Sequence, residues 1–409
     1  MISLEEAQRQ VWGSIAPLDT EQVDLMESVG RVLAETVRAP HDLPPFDNSA
    51  MDGYALRAED TQPATPDAPV RLRIVGESAA GKGYRAPLRL GEAVVISTGA
   101  PIPAGADAVL PLEQAQVQNG ALVVHAPVSA GAHIRSKGLD VQAGTTILTA
   151  GTRIELRHIG LLAALGQTPL RVYRRPRVAL LVTGSELLPY NAPLRDDAIR
   201  DSNSVMARLW LQAWGVPCAF LGVVPDELPA LTARLEQALG EAEVMLLTGG
   251  VSVGGRDLVK PALQTLGAET VFWRVNLKPG KPILFARRDR QAIFGLPGNP
   301  LAVAVGLMLF VRPYLAALEG DARPEPRFLT ARLKAPVHKK EPRAELMTAR
   351  LCVEADGSLS VAPTPAQGSS LLSSLAHANA FCYLPAGEGE FPAGARVQAL
   401  PFAPMESCL

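Results

Sequence analysis

The sequence has little that would support zinc binding or histidine catalysis. Its cysteines form no C-x-x-C pair and no cluster with histidine, so we expect free thiols in a reducing cytoplasm and no structural zinc. No H-E-x-x-H or post-strand G-x-G-x-x-G motif is present. The six histidines all lie outside the glycine-rich loops, which argues against histidine acid–base chemistry.

The net charge is also small, and long apolar runs are few. A formal charge of −2 over 409 residues gives no reason to expect a general nucleic-acid or membrane binder. The N-terminal stretch "MISLEEAQRQ" lacks the basic and apolar regions of a signal peptide. The most apolar run, "NPLAVAVGLMLF" (299–310), is too short to span a bilayer and predicts a buried helix. We therefore predict a soluble cytoplasmic protein.

Glycine and proline, 35 of each, are abundant and separate apolar segments of different periodicity. Residues 3–38 predict helix in two pieces, the first opened by a capping box from Ser3 to Glu6. Short apolar runs between glycines predict an all-β barrel or sandwich over 69–148, followed by a helix at 155–166. From about residue 177 strands and helices alternate, and from about 325 short strands return.

This order predicts a multidomain α/β plus β fold with a parallel α/β substrate-binding core. The expected parts are a helical stalk, an inserted β-rich lobe, the α/β core and a small C-terminal β domain. Their predicted ranges are 1–40 with 145–175, 41–144, 176–325 and 326–409, respectively. Such a length normally divides into several domains.

In a parallel sheet the loops after the carboxyl ends of the strands build the ligand crevice. Four loops take that position here and should gather at one edge: "TGSE" (183–186), "PDE" (225–227), "TGGVSVGGRD" (248–257) and "LPGNP" (296–300).

The loop "TGGVSVGGRD" approaches the phosphate-binding pattern G-x-x-x-x-G-K-[ST] but carries Arg256 and Asp257 where lysine and a hydroxyl are required. Aspartate would repel a phosphate unless a cation intervened, so Asp257 suits a Mg²⁺-bridged anion. The alternative is a glycine-rich strand-to-helix turn in which Asp257 caps the next helix.

Two further loops are suited to an anion. In "NLKPGKPILF" (276–285), Lys278 and Lys281 each precede a proline, which favours extended backbone and a stiff platform for two positive charges. In "GLPGNP" (295–300), Gly298 and Asn299 lie directly before a helix whose N–H groups could hold an anion or a ring edge. A solvated turn and an ordinary N-cap are the respective alternatives.

The β lobe contributes polar turns whose chemistry is open. Asx-turns account for many residues of this kind without any catalytic role. The candidates are Asp47, Asn48 and Asp52 in "FDNSAMDGYAL", Thr98 in "STGAPIP", and Arg135, Lys137 and Asp140 in "RSKGLD".

Taken together and in order, these motifs resemble those of the molybdopterin molybdenumtransferase (MoeA) family, which includes the C-terminal domain of gephyrin. The resemblance covers nearly the whole chain and weakens after about residue 325. The motifs that carry it are "PPFDNSAMDGYA", "STGAPIPAGADAV", "VTGSEL", "TGGVSVGGRD", "KPGKP" and "GLPGNP".

The resemblance implies an enzyme that inserts molybdenum from molybdate into adenylylated molybdopterin with Mg²⁺, releasing molybdenum cofactor and AMP. It implies Asp257 and Glu186 as metal ligands. The implied catalytic residues are Asp52, Thr98, Asp140, Glu186, Asp226 and Asp257. The implied substrate-binding residues are Thr183, Gly184, Asp201, Asn203, Thr248, Gly249, Gly250, Ser252, Lys278, Lys281, Pro297, Gly298, Asn299 and Pro300.

The resemblance also implies an elongated homodimer in which the β lobe faces the α/β domain of a second subunit. Molybdopterin adenylyltransferase and apo-molybdoenzymes are the implied transient partners, with no nucleic acid and no membrane. Ser185 stands where many bacterial relatives have aspartate, which leaves a role for that position in doubt but not for Glu186. A molybdopterin adenylyltransferase and a non-catalytic molybdopterin-binding scaffold remain alternatives.

Overall fold

The computed structural model describes residues 1–13, 15–251 and 258–403, and the chain forms two compact units. The first unit comprises Met1–Ala34, Gly151–Glu155 and Leu170–Leu409, and the second comprises Glu35–Ala150 and Leu156–Pro169. The predicted division into four domains remains a prediction.

The chain begins with helix α1 (Leu4–Trp12), whose N–H at Glu6 donates to Ser3 Oγ at 3.1 Å as the capping box predicts. The prediction of a second helical piece before residue 38 is wrong. Residues Thr20–Val23 form strand β1 instead, followed by a short 3₁₀ turn at Leu25–Glu27. β1 pairs antiparallel with residues 170–173, so a distant strand partner overrides the local helical pattern.

The second unit is β-rich, in agreement with the predicted fold class, and the bounds 41–144 of the lobe remain a prediction. Its six-stranded sheet has the order β7-β4-β6-β5-β9-β8, and Leu56, Leu72 and Leu122 are fully buried against it. Its helices are α2 (Ala58–Thr61) and α3 (Leu156–Ala164). Its strands are β2 (Val37–Arg38), β3 (Asn48–Ser49), β4 (Gly53–Leu56), β5 (Val70–Ser78), β6 (Glu92–Ile96), β7 (Ala108–Pro111), β8 (Gln116–Gln118), β9 (Ala121–Val124), β10 (Ile134–Arg135) and β11 (Thr146–Leu148).

The chain then returns to the first unit and alternates strands with helices, as predicted. The strands are β12 (Leu170–Tyr173), β13 (Val178–Thr183), β14 (Leu187–Leu188), β15 (Ile199–Arg200), β16 (Cys218–Val224), β17 (Val244–Thr248), β18 (Glu269–Trp273), β19 (Leu277–Lys278), β20 (Leu284–Arg288) and β21 (Gln291–Leu296). The helices are α4 (Asn203–Ala213), α5 (Leu228–Glu241), α6 (Val259–Thr265), α7 (Pro300–Gly306) and α8 (Arg312–Leu318).

The central sheet has the order β16-β13-β17-β21-β20-β18. The first four strands are mutually parallel, which confirms the predicted βαβ arrangement. β20 and β18 extend the sheet antiparallel, a feature that the sequence analysis did not predict. Only Asp289 and Arg290 separate β20 from β21, and so short a connection joins antiparallel strands.

The predicted buried helix extends from Pro300 to Leu318 through a π-helical segment at Leu307–Val311. It is long and apolar enough to cross a membrane by length and composition alone, with a mean hydropathy of 2.0. However, 83% of its apolar 18-residue stretch is buried inside the protein, where Phe310 and Tyr314 pack in a core cluster. The helix therefore belongs to the core, as predicted.

The last part of the chain forms a small β structure, again as predicted. Its sheet has the order β19-β24-β25-β22-β28-β26, and an additional pairing of β24 with β26 closes it. β19 joins this sheet by pairing parallel with β24, which sets Lys278 opposite Glu345. The elements are β22 (Leu329–Leu333), β23 (Val337–Lys339), β24 (Ala344–Val353), β25 (Leu359–Pro363), α9 (Leu372–Ala376), β26 (Ala380–Leu384), β27 (Gly389–Phe391) and β28 (Arg396–Pro401).

Candidate functional site

The carboxyl ends of the four parallel strands meet at one edge of the central sheet. Thr183 at the end of β13 is in register with Val224 of β16, and Thr248 of β17 is in register with Leu296 of β21. The loops that follow begin with Gly184, Pro225, Gly249 and Pro297. The structure therefore brings together the starts of the four predicted loops, and residues 252–257 of the third loop lie outside the described residues.

Gly249 and Gly250 follow β17 in a backbone conformation that suits only glycine. Their φ angles are +86° and +64°. A Cβ on Gly249 would lie 2.5 Å from the carbonyl oxygen of Thr183, and one on Gly250 would lie 2.8 Å from Thr183 Oγ1. The N–H of Gly249 donates to the carbonyl of Leu296 at 3.0 Å. The two glycines thus let three neighbouring strand ends approach closely.

Three side-chain oxygens at these strand ends are buried without a hydrogen-bond partner among the described residues. They are Thr183 Oγ1, Thr248 Oγ1 and Asn203 Oδ1. The amide nitrogen of Asn203 donates to the carbonyl of Gly298 at 2.8 Å, which fixes the oxygen on the other side of that amide. Because buried polar groups are nearly always paired, these oxygens are candidates to contact a ligand.

Helix α4 begins beside this group of oxygens, and Asp201, which the resemblance implies as a substrate-binding residue, lies at its start. Ser202 occupies the N-cap position but makes no side-chain cap bond. The buried carboxylate of Asp201 instead accepts a hydrogen bond from the N–H of Ser204 at 2.9 Å. Asp201 therefore has a structural role in holding the start of α4 and Asn203 in place.

Two exposed carboxylates follow adjacent strands, Glu186 after β13 and Asp226 after β16. A Cβ on Gly184 would lie 2.9 Å from Glu186 Oε2, so the Glu186 side chain folds back over the glycine. Within residues 1–13, 15–251 and 258–403, no group of three or more His, Cys, Asp or Glu side chains could hold a metal ion. Mg²⁺ commonly uses one or two carboxylates together with water and substrate phosphate, and Glu186 and Asp226 are ligands of that chemical kind. Ser252 and Asp257 lie outside the described residues.

A cavity of about 230 Å³ lies beside the strand ends in the first unit. It brings together the predicted Lys278 and Lys281 with Pro297 and Asn299. The 278–282 segment forms one wall of the cavity, and the 297–302 segment forms a second. The sequence analysis did not predict the third wall, which the start of β24 and the 367–369 loop of the C-terminal β structure supply. The residues of that wall are Arg343, Glu345, Leu346, Gln367, Gly368 and Ser369.

The cations of the cavity differ in how they are held. Lys278 Nζ lies 3.0 Å from Glu345 Oε1 and 3.9 Å from Glu341 Oε2. Arg343 forms a two-point pair with Glu341, with Nε 2.7 Å from Oε1 and the second guanidinium nitrogen 2.9 Å from Oε2. Hydrogen bonding by Arg343 lowers the pKa of Glu341 to about 2, despite the opposing effect of burial. Lys281 is exposed and has no ion-pair partner in the described part of the chain.

The loop before α7 is tied to the third wall. Asn299 stands at the N-cap of α7, yet its side chain makes no cap bond and donates to Ser369 Oγ at 3.0 Å. The N–H of Leu301 donates to the carbonyl of Ser369 at 3.1 Å. Pro300 is in the first turn of α7, where its missing N–H has no consequence. The simple N-cap reading of "GLPGNP" is therefore incomplete.

In the second unit, Asp52 and Thr98 are hydrogen-bonded to each other, and no hydrogen bond among the described residues joins Asp140 to either of them. Asp52 Oδ1 accepts hydrogen bonds from the N–H of Thr98 at 2.7 Å and from Thr98 Oγ1 at 3.1 Å. Asp140 is exposed, and its N–H donates to the carbonyl of Leu43 at 2.9 Å. The carboxylate of Asp47 accepts from the N–H of Lys137 at 2.7 Å, in accord with a loop-stabilising role for this residue.

Comparison with known proteins matches three family models along the chain. The MoeA N-terminal region (domains I and II) matches residues 2–166, a probable molybdopterin-binding domain matches 179–317, and the MoeA C-terminal region (domain IV) matches 330–402. The molybdopterin molybdenumtransferase of Bacillus subtilis is 36% identical over 403 residues, which cover 98% of this chain and 94% of the relative. The chain belongs to the molybdopterin molybdenumtransferase family.

Other relatives agree. The molybdopterin molybdenumtransferase of Synechococcus elongatus is 37% identical, with 93% of this chain and 94% of the relative covered. A crystal structure of the molybdopterin biosynthesis MoeA protein from Pyrococcus horikosii has a TM-score of 0.86 and 31% identity, with 98% and 99% coverage. The predicted family, fold class and enzyme class are confirmed.

The probable molybdopterin-binding domain of the family ends at residue 317, before the third wall of the cavity begins. The matched MoeA C-terminal region contains Arg343, Glu345 and Ser369. Sequence periodicity does not reveal these residues as site residues, because no local feature distinguishes β24, which carries Glu345 and begins directly after Arg343, from the neighbouring strands. Their place depends on the pairing of β19 with β24.

Proposed function

We propose that this chain inserts molybdenum from molybdate into adenylylated molybdopterin in a Mg²⁺-dependent reaction that releases molybdenum cofactor and AMP. The observation that carries the proposal is the cavity of about 230 Å³ in which Lys278, Lys281 and Arg343 converge beside the strand ends of the molybdopterin-binding part of the fold. Membership of the family supports the reaction class.

Molybdate is a compact dianion, and the cavity suits it in size and charge. Lys281 has no acidic partner among the described residues and is available to a ligand. Arg343 is held rigidly by Glu341, and an oriented guanidinium binds oxyanions through paired N–H groups. The amide of Asn299 and the hydroxyl of Ser369 provide neutral hydrogen-bonding groups at the same wall.

The organic part of the substrate is proposed to bind at the strand ends. The backbone N–H groups near Gly184, Gly249 and Gly250 would contact its phosphate, since glycine permits close approach. The oxygens of Thr183, Thr248 and Asn203, which have no partner among the described residues, would bind the pterin: all three can accept hydrogen bonds, and the two hydroxyls can also donate. Pro297, Gly298 and Pro300 would shape the passage to the cavity. Ser252 belongs to the same proposed set, and Asp201 supports it through α4.

The proposed metal ligands are Glu186 and Asp257, with Asp226 as a further acid at the same edge. Bound Mg²⁺ would neutralise negative charge on the phosphate linkage between molybdopterin and AMP. Glu186 and Asp226 are exposed at neighbouring strand ends, where they can hold a hydrated cation without a preformed cage. Asp257, in the loop that follows β17, would orient the phosphate through the bound metal.

We further propose a cytoplasmic homodimer with composite sites. Asp52, Thr98 and Asp140 would then act on the α/β domain of a second copy, with the hydrogen bonds from Thr98 orienting the Asp52 carboxylate. Molybdopterin adenylyltransferase would supply the adenylylated substrate and apo-molybdoenzymes would receive the cofactor. Neither nucleic acid nor membrane has a part in the proposal.

The decisive assay incubates the purified protein with adenylylated molybdopterin, Mg²⁺ and molybdate and quantifies AMP. AMP release that requires molybdate is expected. Conversion of ATP and molybdopterin into the adenylylated compound would favour an adenylyltransferase, and binding without turnover would favour a scaffold. Asp257→Ala should abolish AMP release, whereas Glu269→Ala, a change at an exposed edge-strand residue, should not.

A further inference from the structure

The proposed oxyanion cavity contains an acid that opposes the charge of its ligand. Among the described residues that line it, Lys278, Lys281 and Arg343 are cationic, and Glu345 is the only acid. Glu345 is 8% exposed, and its carboxylate lies 3.0 Å from Lys278 Nζ. An acid in this place lowers the positive potential that attracts a dianion.

The carboxylate of Glu345 is attached to a rigid part of the fold. Its backbone pairs with Lys278 of β19 on one side and with Leu384 of β26 on the other. Lys278, by contrast, has a side chain that is 44% exposed on a flexible stem. When a ligand competes for this ion pair, the lysine ammonium can therefore move, while the carboxylate stays.

The two lysines of "KPGKP" consequently differ in function. Lys281 has no ion-pair partner within the described residues, whereas Lys278 is neutralised by a nearly buried acid. Arg343 is likewise balanced, because Glu341 takes two of its guanidinium nitrogens. An incoming oxyanion thus meets one unpaired cation and two that already have partners.

We propose that Glu345 is an internal counter-ion that competes with the oxyanion for Lys278 and so sets the affinity of the cavity. This inference rests on the proposed function, because it takes an oxyanion such as molybdate as the ligand. Glu345 is a positioning residue, because it acts on the oxyanion through Lys278. Weak binding of the free dianion leaves binding energy for the transition state.

Neutralising Glu345 tests the inference directly. Glu345→Gln keeps the shape of the side chain and removes its charge, so Lys278 becomes available to the ligand. We expect the Kd for molybdate, measured by calorimetry on the full-length protein, to fall about tenfold, which a change of one nearby charge readily produces. In steady state the KM for molybdate should fall while kcat does not rise.

Two variants separate this effect from general ones. Glu345→Asp retains the charge and should bind molybdate nearly as the wild type does. Glu390→Gln removes an exposed acid that pairs with His338 in the same β structure, and it should leave the Kd unchanged. Unchanged or weaker binding by Glu345→Gln would overturn the inference, as would equal tightening by Glu390→Gln.

Glu345 also lies near the buried Lys339, so its neutralisation can reduce stability. A second comparison avoids an unpaired charge, because Lys278→Met/Glu345→Met replaces both partners of the ion pair with apolar side chains. This double variant should bind molybdate more tightly than Lys278→Met alone, and equal or weaker binding would contradict the inference. If the wild type binds no molybdate, or Lys278→Met with Lys281→Met binds it as the wild type does, the proposed function fails together with the inference.

Discussion

The cavity and the strand ends lie side by side in the first unit, yet they present opposite chemistry. In the cavity, Lys278 and Arg343 are held by carboxylates before any ligand arrives. At the strand ends, the oxygens of Thr183, Thr248 and Asn203 are buried with no partner among the described residues.

The difference indicates two kinds of ligand contact. Cations that are already paired with carboxylates suit a small oxyanion whose affinity must be limited. Neutral groups left unpaired suit a larger organic molecule that satisfies them on binding, and such a site rejects molecules that lack matching groups. Changes in the cavity should therefore affect molybdate, and changes at the strand ends should affect molybdopterin.

The largest expected effect comes from the backbone where the strand ends meet. Gly249→Ala places a Cβ 2.5 Å from the carbonyl oxygen of Thr183 at a φ of +86°, so the loop must move. We expect molybdate-dependent AMP release to fall by about a hundredfold or more, since small displacements in a site are costly. Gly267→Ala is the matched control, because its φ is +72° and nothing lies within 4 Å of the added Cβ. Equal activity of the two variants would contradict the close approach at Gly249.

Removal of the unpaired cation of the cavity should have the next largest effect. Lys281→Met is expected to raise the Kd for molybdate by about tenfold to a hundredfold, the range for a lost charged hydrogen bond. The melting temperature should not change, because Lys281 has no ion-pair partner in the described residues. Lys340→Met, at another exposed lysine, should alter neither quantity. If Lys281→Met changed the KM for adenylylated molybdopterin and left the Kd for molybdate unchanged, the proposal that the cavity binds molybdate and the strand ends bind the pterin would be contradicted.

A smaller effect is expected when the Thr183 hydroxyl is removed: substrate binding should weaken, while the stability of the protein should not fall. Thr183→Val preserves the shape and removes a buried hydroxyl that has no described partner, so the free energy of unfolding should stay the same or rise by about 1 kcal/mol. The KM for adenylylated molybdopterin should rise several-fold. In Thr61→Val the same change removes a hydroxyl that donates to Ala58 and accepts from Val128, so stability should fall. Loss of stability in Thr183→Val would show that its hydroxyl has a protein partner.

The smallest effect concerns the pH dependence of stability. Arg343 lowers the pKa of Glu341 to about 2, from its ordinary value of 4.5. This carboxylate therefore contributes stability that is fully present above about pH 4.5 and is lost as the pH falls toward 2. Glu341→Gln should be less stable than the wild type at neutral pH, and the difference should shrink on acidification. A difference in unfolding free energy that is constant from pH 7 to pH 2 would contradict the assignment.

Sequence analysis predicted the parts of the molecule that depend on local patterns. The alternation after residue 177 predicted the four parallel strands, and Gly249, Lys278 and Pro297 were found because glycine and proline mark unusual backbone. It failed where a distant partner decides the structure. Thr20–Val23 became a strand because it pairs with Leu170–Tyr173.

The same limit applies to the candidate site. Arg343, Glu345 and Ser369 were not predicted, since no local feature distinguishes them. They reach the cavity because β19 leaves the α/β core and pairs with β24 of the C-terminal β structure. Ser252 and Asp257 of the loop "TGGVSVGGRD" lie outside the described ranges, so their roles stay predictions. Lys278 and Lys281, predicted to form a platform for an anion, line a cavity.

We expect the oxyanion to bind among Lys278, Lys281 and Arg343 and not at the strand ends. Anomalous diffraction from crystals soaked in tungstate, a heavier oxyanion of the same charge and geometry, would locate the ion directly. One ordered site is expected in the cavity, within hydrogen-bond distance of Lys281 Nζ, and it should disappear in Lys281→Met. An ion bound instead beside Thr183 and Gly249, with the cavity empty, would contradict it.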